Sequence, residues 1–223
     1  MMLRFWFIIM KDEVIVFDLD DTLYNEIDFL KSAFKEISLL VARDRYLKTY
    51  QKMLDLYYSG SDVFDYIVNN YPEYKKSDLI FLYRNHFPTI QAFDGVVELL
   101  NELSKNYYLA IITDGRSITQ RNKIKALKLE AFIDECIISD ELGSEKPDIK
   151  NFEVIQNKFN CEKYTYVADN VLKDFISPNN LGWRTIGIRN NGFNIVRPCI
   201  NLTVNHQPDF WVKSFKDLSR VLL

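Results

Sequence analysis

Four short segments of this 223-residue chain carry side chains whose chemistry is complementary. The first reads Asp18-Leu19-Asp20-Asp21-Thr22, and the second Thr113-Asp114-Gly115. The third holds Lys146, just before Pro147. The fourth holds Asp169 and Asn170, with Asp174 shortly after. Together they offer a nucleophile candidate, a hydroxyl, a cation and a second acidic pair. Histidine chemistry is not expected, because His86 and His206 are the only histidines. His86 reads as a surface helix residue.

These groups act together only if the fold brings them to one place. Val14–Phe17 is a short, continuous apolar run rich in β-branched residues, the pattern of a buried parallel strand. It ends in Asp18. Residues 25–87 then read as helical: Ile27, Leu30, Phe34, Ile37 and Val41 recur at spacings of three and four. Asn25, Ser61 and Ser77 stand where N-caps are expected, and Gly60 and Pro72 punctuate the helices. These apolar stripes read as core, and so do the many tyrosines between 45 and 85. After Pro88, helix and strand alternate. Helices are predicted at about 94–105, 116–128, 148–159 and 171–180. The strands that follow them end at Thr113, Ser139, Asp169 and Ile188. Phe210–Val212 suggests one more strand and Phe215–Leu223 a short helix. Such alternation implies a parallel sheet covered on both faces. The expectation is an α/β fold: a Rossmann-like, doubly wound core of residues 1–24 and 88–223, with an α-helical cap inserted at 25–87. In these sheets ligands bind at the carboxyl ends of the strands. The four segments fall at or just beyond such ends.

At this point the chain resembles the haloacid dehalogenase superfamily, in its form with a helical C1-type cap. VIVFDLDDT is similar to the family's first motif and AIITD to its second. The Lys146-Pro147 loop is similar to its third, and YVADNVLKD to its fourth. The resemblance spans Val14 to about Ile188. It implies a phosphoric monoester hydrolase that forms an aspartyl-phosphate. Carboxylates around a phosphoryl group repel it unless a divalent cation neutralises them, and Mg²⁺ prefers hard oxygen ligands. By that resemblance Asp18 and Asp169 would give carboxylates to Mg²⁺, Asp20 its backbone carbonyl, and Asp174 an acid in or near the same shell. Asp18 would be the nucleophile. Asp20 would protonate the leaving oxygen and then activate water. Thr113 would hydrogen-bond the phosphoryl group, and Lys146 would stabilise its charge and that of Asp18. The substrate site is expected around Thr113, Asp114 and Lys146. Tyr24 and Asn25 stand at the start of the cap. Arg116 suits a substrate contact or a helix-start surface position.

Two positions depart from the family pattern. Ala168 replaces a usual Gly, and Asp114 a frequent Asn. An acid at 114 would repel a phosphate unless it points away. A dehalogenase is not expected, because halide departure needs no general acid and attack on carbon needs no magnesium. A phosphomutase of the same fold stays open. So does a non-catalytic binding or regulatory protein, although retention of Asp18, Asp20 and Lys146 favours an enzyme. The substrate class is a small phosphorylated metabolite, either a sugar phosphate or a nucleotide.

The net charge of −3 holds no basic field for nucleic acid. The apolar run at 1–10 is too short for a membrane span of ~20 residues, so no membrane partner is expected. Met10 makes a sensible alternative start. Cys136, Cys161 and Cys199 have no paired spacing, which fits a reducing cytoplasm. Oligomeric state has no signature here.

Overall fold

Every residue of Glu13–Phe17 after the first is apolar and buried, and the segment forms strand β1 at the centre of a six-stranded sheet. The computed structural model describes residues 11–195 and 202–223. The other strands are β2 (Tyr108–Thr113), β3 (Glu135–Ile138), β4 (Lys163–Ala168), β5 (Arg184–Ile188) and β6 (Phe210–Val212). The order is β3-β2-β1-β4-β5-β6, and every pairing is parallel. The chain runs outward from β1 through β2 to β3, then returns to the other side of β1 as β4. The connection direction therefore reverses between β1 and β4, and that crevice is where ligands sit in doubly wound sheets.

Side chains alternate across the sheet, and each face is closed by helices. Ile15 and Phe17 point into one core with Leu100, Leu103, Ile124 and Leu218. Val14 and Val16 point into the other with Phe152, Ile155, Phe175 and Trp183.

Between β1 and β2 the chain forms α1 (Glu26–Val41), α2 (Tyr46–Tyr58), α3 (Val63–Asn70) and α4 (Lys76–Asn85), then returns to the sheet through α5 (Val96–Leu103). The first four share a core of their own, centred on Phe34, Ile37, Met53, Ile67 and Leu79. Full burial of each such side chain is worth roughly 1.5–3 kcal/mol. The aromatic-rich stretch, read as core, is only partly so: most of its tyrosines pack half-buried against this core, and Tyr58 and Phe81 are exposed. Phe34 meets Tyr57 and Tyr83 at ring distances of 6.3 Å, and Phe64 meets Tyr83 at 5.9 Å.

The remaining helices are α6 (Ser117–Ala126), α7 (Ser139–Leu142), α8 (Lys150–Phe159), α9 (Ile176–Asn180) and α10 (Phe215–Leu222). Among the described residues, no helix is long and apolar enough to cross a membrane. Expectations for residues 1–10 and for Cys199 lie outside the described residues.

Several helix ends differ from the sequence reading, each for a local reason. α3 is capped by Asp62, whose carboxylate accepts from Asp65 N at 2.9 Å. Ser61 is instead taken up in closing α2. Gly60 adopts φ +73° and Ser61 N donates to Leu56 O at 2.9 Å, the six-to-one bond of a Schellman stop. Ser77 lies inside α4, which starts after Lys75. The helix expected from about 171 begins only at Ile176, because the Asp174 carboxylate accepts the Asn170 N–H at 3.0 Å. A local side-chain bond of that kind competes with helix formation.

His86 is not a surface residue. It ends α4, is 4% exposed, and lies against Phe29 with ring centroids 4.6 Å apart. Its Nδ1 is 2.9 Å from Tyr83 O, and its Nε2 is buried with no partner among the described residues. Burial pushes its pKa below the ordinary value. The folded chain therefore binds fewer protons here than the unfolded chain. This contribution to stability is present above the unfolded histidine value and is lost as pH falls below it and through the lower, folded value. We expect the melting temperature to drop between pH 7.5 and 5.5, and His86→Phe to make that drop smaller. An equal drop in both proteins would assign it to other groups.

Candidate active site

The loop after β1 sets the geometry of the first motif. Leu23 N donates to Leu19 O at 3.0 Å, closing a tight turn, and Asp21 takes a positive φ of 57°. Asp is among the few residues that tolerate this region. Its carboxylate is consumed in holding the loop, accepting from Glu26 N and Ile195 N, each at 2.8 Å.

Asp18, at the end of β1, is buried. Lys146 Nζ donates to its Oδ1 at 2.5 Å, and Thr22 Oγ1 donates to its Oδ2 at 2.9 Å. Thr22 Oγ1 also lies 3.2 Å from Asp169 Oδ1. Lys146 Nζ has three close partners, two by hydrogen bond and one by ion pairing. Besides Asp18, it meets Asp174 Oδ1 at 2.7 Å and Tyr166 Oη at 3.2 Å. Burial pushes the Lys146 pKa down, but Asp174 and Asp18 outweigh it and hold the amine firmly charged.

Asp18, Asp169 and Asp174 each offer an oxygen within 4.8 Å of the others. Burial, and then the neighbouring carboxylates, push Asp169 up to about 8. Burial also pushes Asp18 up to about 6, with Lys146 working against it and Asp174 adding to it. Crowded acids of this kind favour a hard divalent cation, and the donor set, all carboxylate oxygen, fits Mg²⁺. Both oxygens of Asp174 already have partners, Lys146 and the Asn170 N–H. Asn194 Nδ2 donates to Asp169 Oδ2 at 2.6 Å.

One pocket is lined by Asp18, Asp20, Thr113, Asp114, Asp169 and Asp174 together. Glu26, Asn170 and Lys173 share its wall. Asp114 does not confront this site with an unpaired charge. Its Oδ1 accepts the Lys146 backbone N–H at 3.0 Å, and its Oδ2 pairs with Lys173 at 2.5 Å. The methyl of Ala168 is accommodated in the buried core. Arg116 is exposed at the start of α6 and does not line the pocket. Asn25 stands at the N-cap of α1, as expected, but its side chain makes no capping bond and accepts from Asn191 Nδ2 at 2.8 Å instead.

Three residues around Asp20 were not singled out from the sequence. Lys123 Nζ donates to Asp20 Oδ1 at 2.6 Å, and Gln120 Nε2 donates to Asp20 Oδ2 at 2.7 Å. The same Gln120 nitrogen donates to Thr113 Oγ1 at 2.6 Å. Tyr24 Oη donates to Asp20 Oδ1. Glu26 is the third, its carboxyl pushed up to about 8 by burial and by Asp20. A signal for two of them exists. Gln120, Lys123, Ile124 and Leu127 are all buried at the three-four spacing of one helix face, so two polar residues occupy core-facing positions.

The fold is a parallel α/β sheet with acids and a lysine gathered at its switch point, the class of architecture on which a hydrolase site of this kind is built. Residues 15–188 match the family described as haloacid dehalogenase-like hydrolase. The chain belongs to this family. It is 30% identical over 190 residues to the glyceraldehyde 3-phosphate phosphatase of Methanothermobacter thermautotrophicus, covering 78% of this chain and 84% of that one. It is 24% identical over 217 residues to the pyrophosphatase PpaX of Bacillus pumilus, covering 93% and 95%. The structure of a HAD phosphatase from Thermococcus onnurineus superposes with a TM-score of 0.62 at 20% identity, covering 94% and 97%, a likeness of fold. The expectation of a phosphatase stands with these relatives.

Proposed function

We propose that this chain is a Mg²⁺-dependent phosphohydrolase of small phosphorylated metabolites, acting through phosphorylation of Asp18. The reading is carried by one observation: the buried Asp18 carboxylate, hydrogen-bonded to Lys146 at 2.5 Å, shares one pocket with Thr113 and Asp169. Asp18 and Asp169 would hold the cation, with the Asp20 backbone carbonyl, and Asp174 stands at the third corner of the cluster. When bound, the ion supplies positive charge that lets a phosphate approach these acids.

The residues of the chain do the rest. An Asp18 oxygen attacks phosphorus, and the bond from phosphorus to the leaving oxygen breaks. Asp20 gives its proton to that oxygen. In the second step Asp20 takes a proton from water, whose oxygen attacks phosphorus, and the bond to Asp18 breaks to restore its carboxylate. Lys146 neutralises the charge that develops on the phosphoryl oxygens, and the Thr113 hydroxyl is placed to hydrogen-bond one of them. The substrates named for the two relatives, glyceraldehyde 3-phosphate and pyrophosphate, support a small phosphorylated substrate of the sugar phosphate or nucleotide class. The helical layer α1–α4 enters directly after the nucleophile loop. We assign it the role of a cap, residues 25–87, that closes over the leaving group. Free Cys136 and Cys161 fit a reducing cytoplasm.

The test is phosphate release from a panel of sugar phosphates, nucleotides and pyrophosphate, with Mg²⁺ and with a chelator. We expect turnover with Mg²⁺ and a loss of at least ~100-fold on chelation, restored by added Mg²⁺. Turnover that survives the chelator would overturn the metal assignment, and no turnover on any member would overturn the phosphatase reading.

A further inference from the structure

Lys123 is an amine at a core-facing position of a helix. It is 3% exposed. It lies 4.6 Å above the Phe29 ring and 5.9 Å from the Tyr24 ring, both from the stretch leading into and along α1. Its one hydrogen bond among the described residues goes to Asp20 Oδ1. A buried ammonium is costly without a partner, so this placement is tied to that carboxylate.

The acceptor sites of Asp20 can be counted. A carboxylate oxygen has two lone pairs. Oδ1 meets both Lys123 and Tyr24, which uses both of its sites. Oδ2 meets Gln120 alone. The carboxyl is thus held from three directions and cannot turn about its own bond without breaking the bonds of all three donors. The oxygen with a free site is Oδ2, and the nitrogen that holds it also holds Thr113 Oγ1. Gly115 makes room for this bridge. A Cβ there would stand 3.1 Å from Gln120 Cδ, and its φ of +134° disfavours any side chain.

We propose that Lys123 is a positioning residue which, with Tyr24 and Gln120, fixes the Asp20 carboxyl so that Oδ2 is the oxygen that hands its proton to the leaving group. The inference rests on the phosphatase reading, with Asp20 as the acid. As the bond from phosphorus to the leaving oxygen breaks, its electron pair stays on that oxygen, and the proton on Asp20 Oδ2 moves there. An alkoxide leaving group needs this proton. A 4-nitrophenolate, already stable as an anion, needs it far less.

Leaving-group dependence therefore separates positioning of Asp20 from a general structural role. The value to compare is kcat/KM, which covers only the steps up to phosphorylation of Asp18. The later use of Asp20 as a base does not enter it. We expect Lys123→Met to lower kcat/KM for glycerol 3-phosphate by about 100-fold. That loss should exceed the loss on 4-nitrophenyl phosphate by about tenfold or more. Lys123→Arg should recover most of the alkyl activity. Tyr24→Phe keeps the ring and removes one donor, so it should show the same selective loss at smaller size; it decides the matter if Lys123→Met does not fold. Equal losses on the two substrates, or no loss on either, would overturn the positioning role while leaving the phosphatase intact. Wild-type protein that turns over neither substrate would overturn both readings together.

Discussion

Asp18→Asn is expected to lower phosphate release by on the order of 10⁴- to 10⁶-fold while the protein stays folded. The amide is nearly isosteric, so Lys146 and Thr22 keep a neighbour of the same shape at 2.5 and 2.9 Å. What is lost is nucleophilicity, together with one charge that the cation cluster needs. Stability should hold or rise. Burial pushes the Asp18 pKa up to about 6, meaning that the folded protein disfavours the very charge the variant removes. The two outcomes together are diagnostic. Inactivity with a raised melting temperature marks a residue kept for chemistry at the expense of stability, and inactivity with an unchanged one marks a residue kept for chemistry alone. Residual turnover within about tenfold of wild type would remove Asp18 from the nucleophile role.

Lys146→Met is expected to damage both stability and activity. Its amine lies between two buried carboxylates, Asp18 and Asp174, at 2.5 and 2.7 Å. Removing one partner of a buried ion pair leaves uncompensated charge, at a cost of roughly 3–5 kcal/mol. Activity should fall by about 10²–10³-fold through lost stabilisation of the phosphoryl charge. A second substitution separates the two effects. Lys146→Met with Asp174→Asn should recover much of the stability, because the most deeply buried acid then needs no cation, yet recover no activity. Denaturant melts and phosphate release on the same samples supply the comparison. Recovery of activity in the double variant would show that Lys146 only balances Asp174.

Much of this protein is determined by the chain read alone. The β-branched run before Asp18 and the helix–strand alternation after Pro88 are local, periodic signals. They suffice for a parallel sheet, because a strand buried on both faces must be apolar throughout. Asp18, Thr113 and Asp169 were legible for the same reason. Each stands at the carboxyl end of a recognisable strand or just past it, and topology does the rest. What only the tertiary structure decided are the pairings between segments far apart in sequence. Lys173 neutralises Asp114 from 59 positions away, and Lys123 reaches Asp20 from 103 away. His86 is buried against Phe29, although its own segment reads as an ordinary helix end. Periodicity tells which face of a helix turns inward, not what it meets there. A buried lysine or histidine is therefore read as exposed until the fold brings its partner to it. The chemistry of single residues was written locally; the fit of charge to charge was settled by packing.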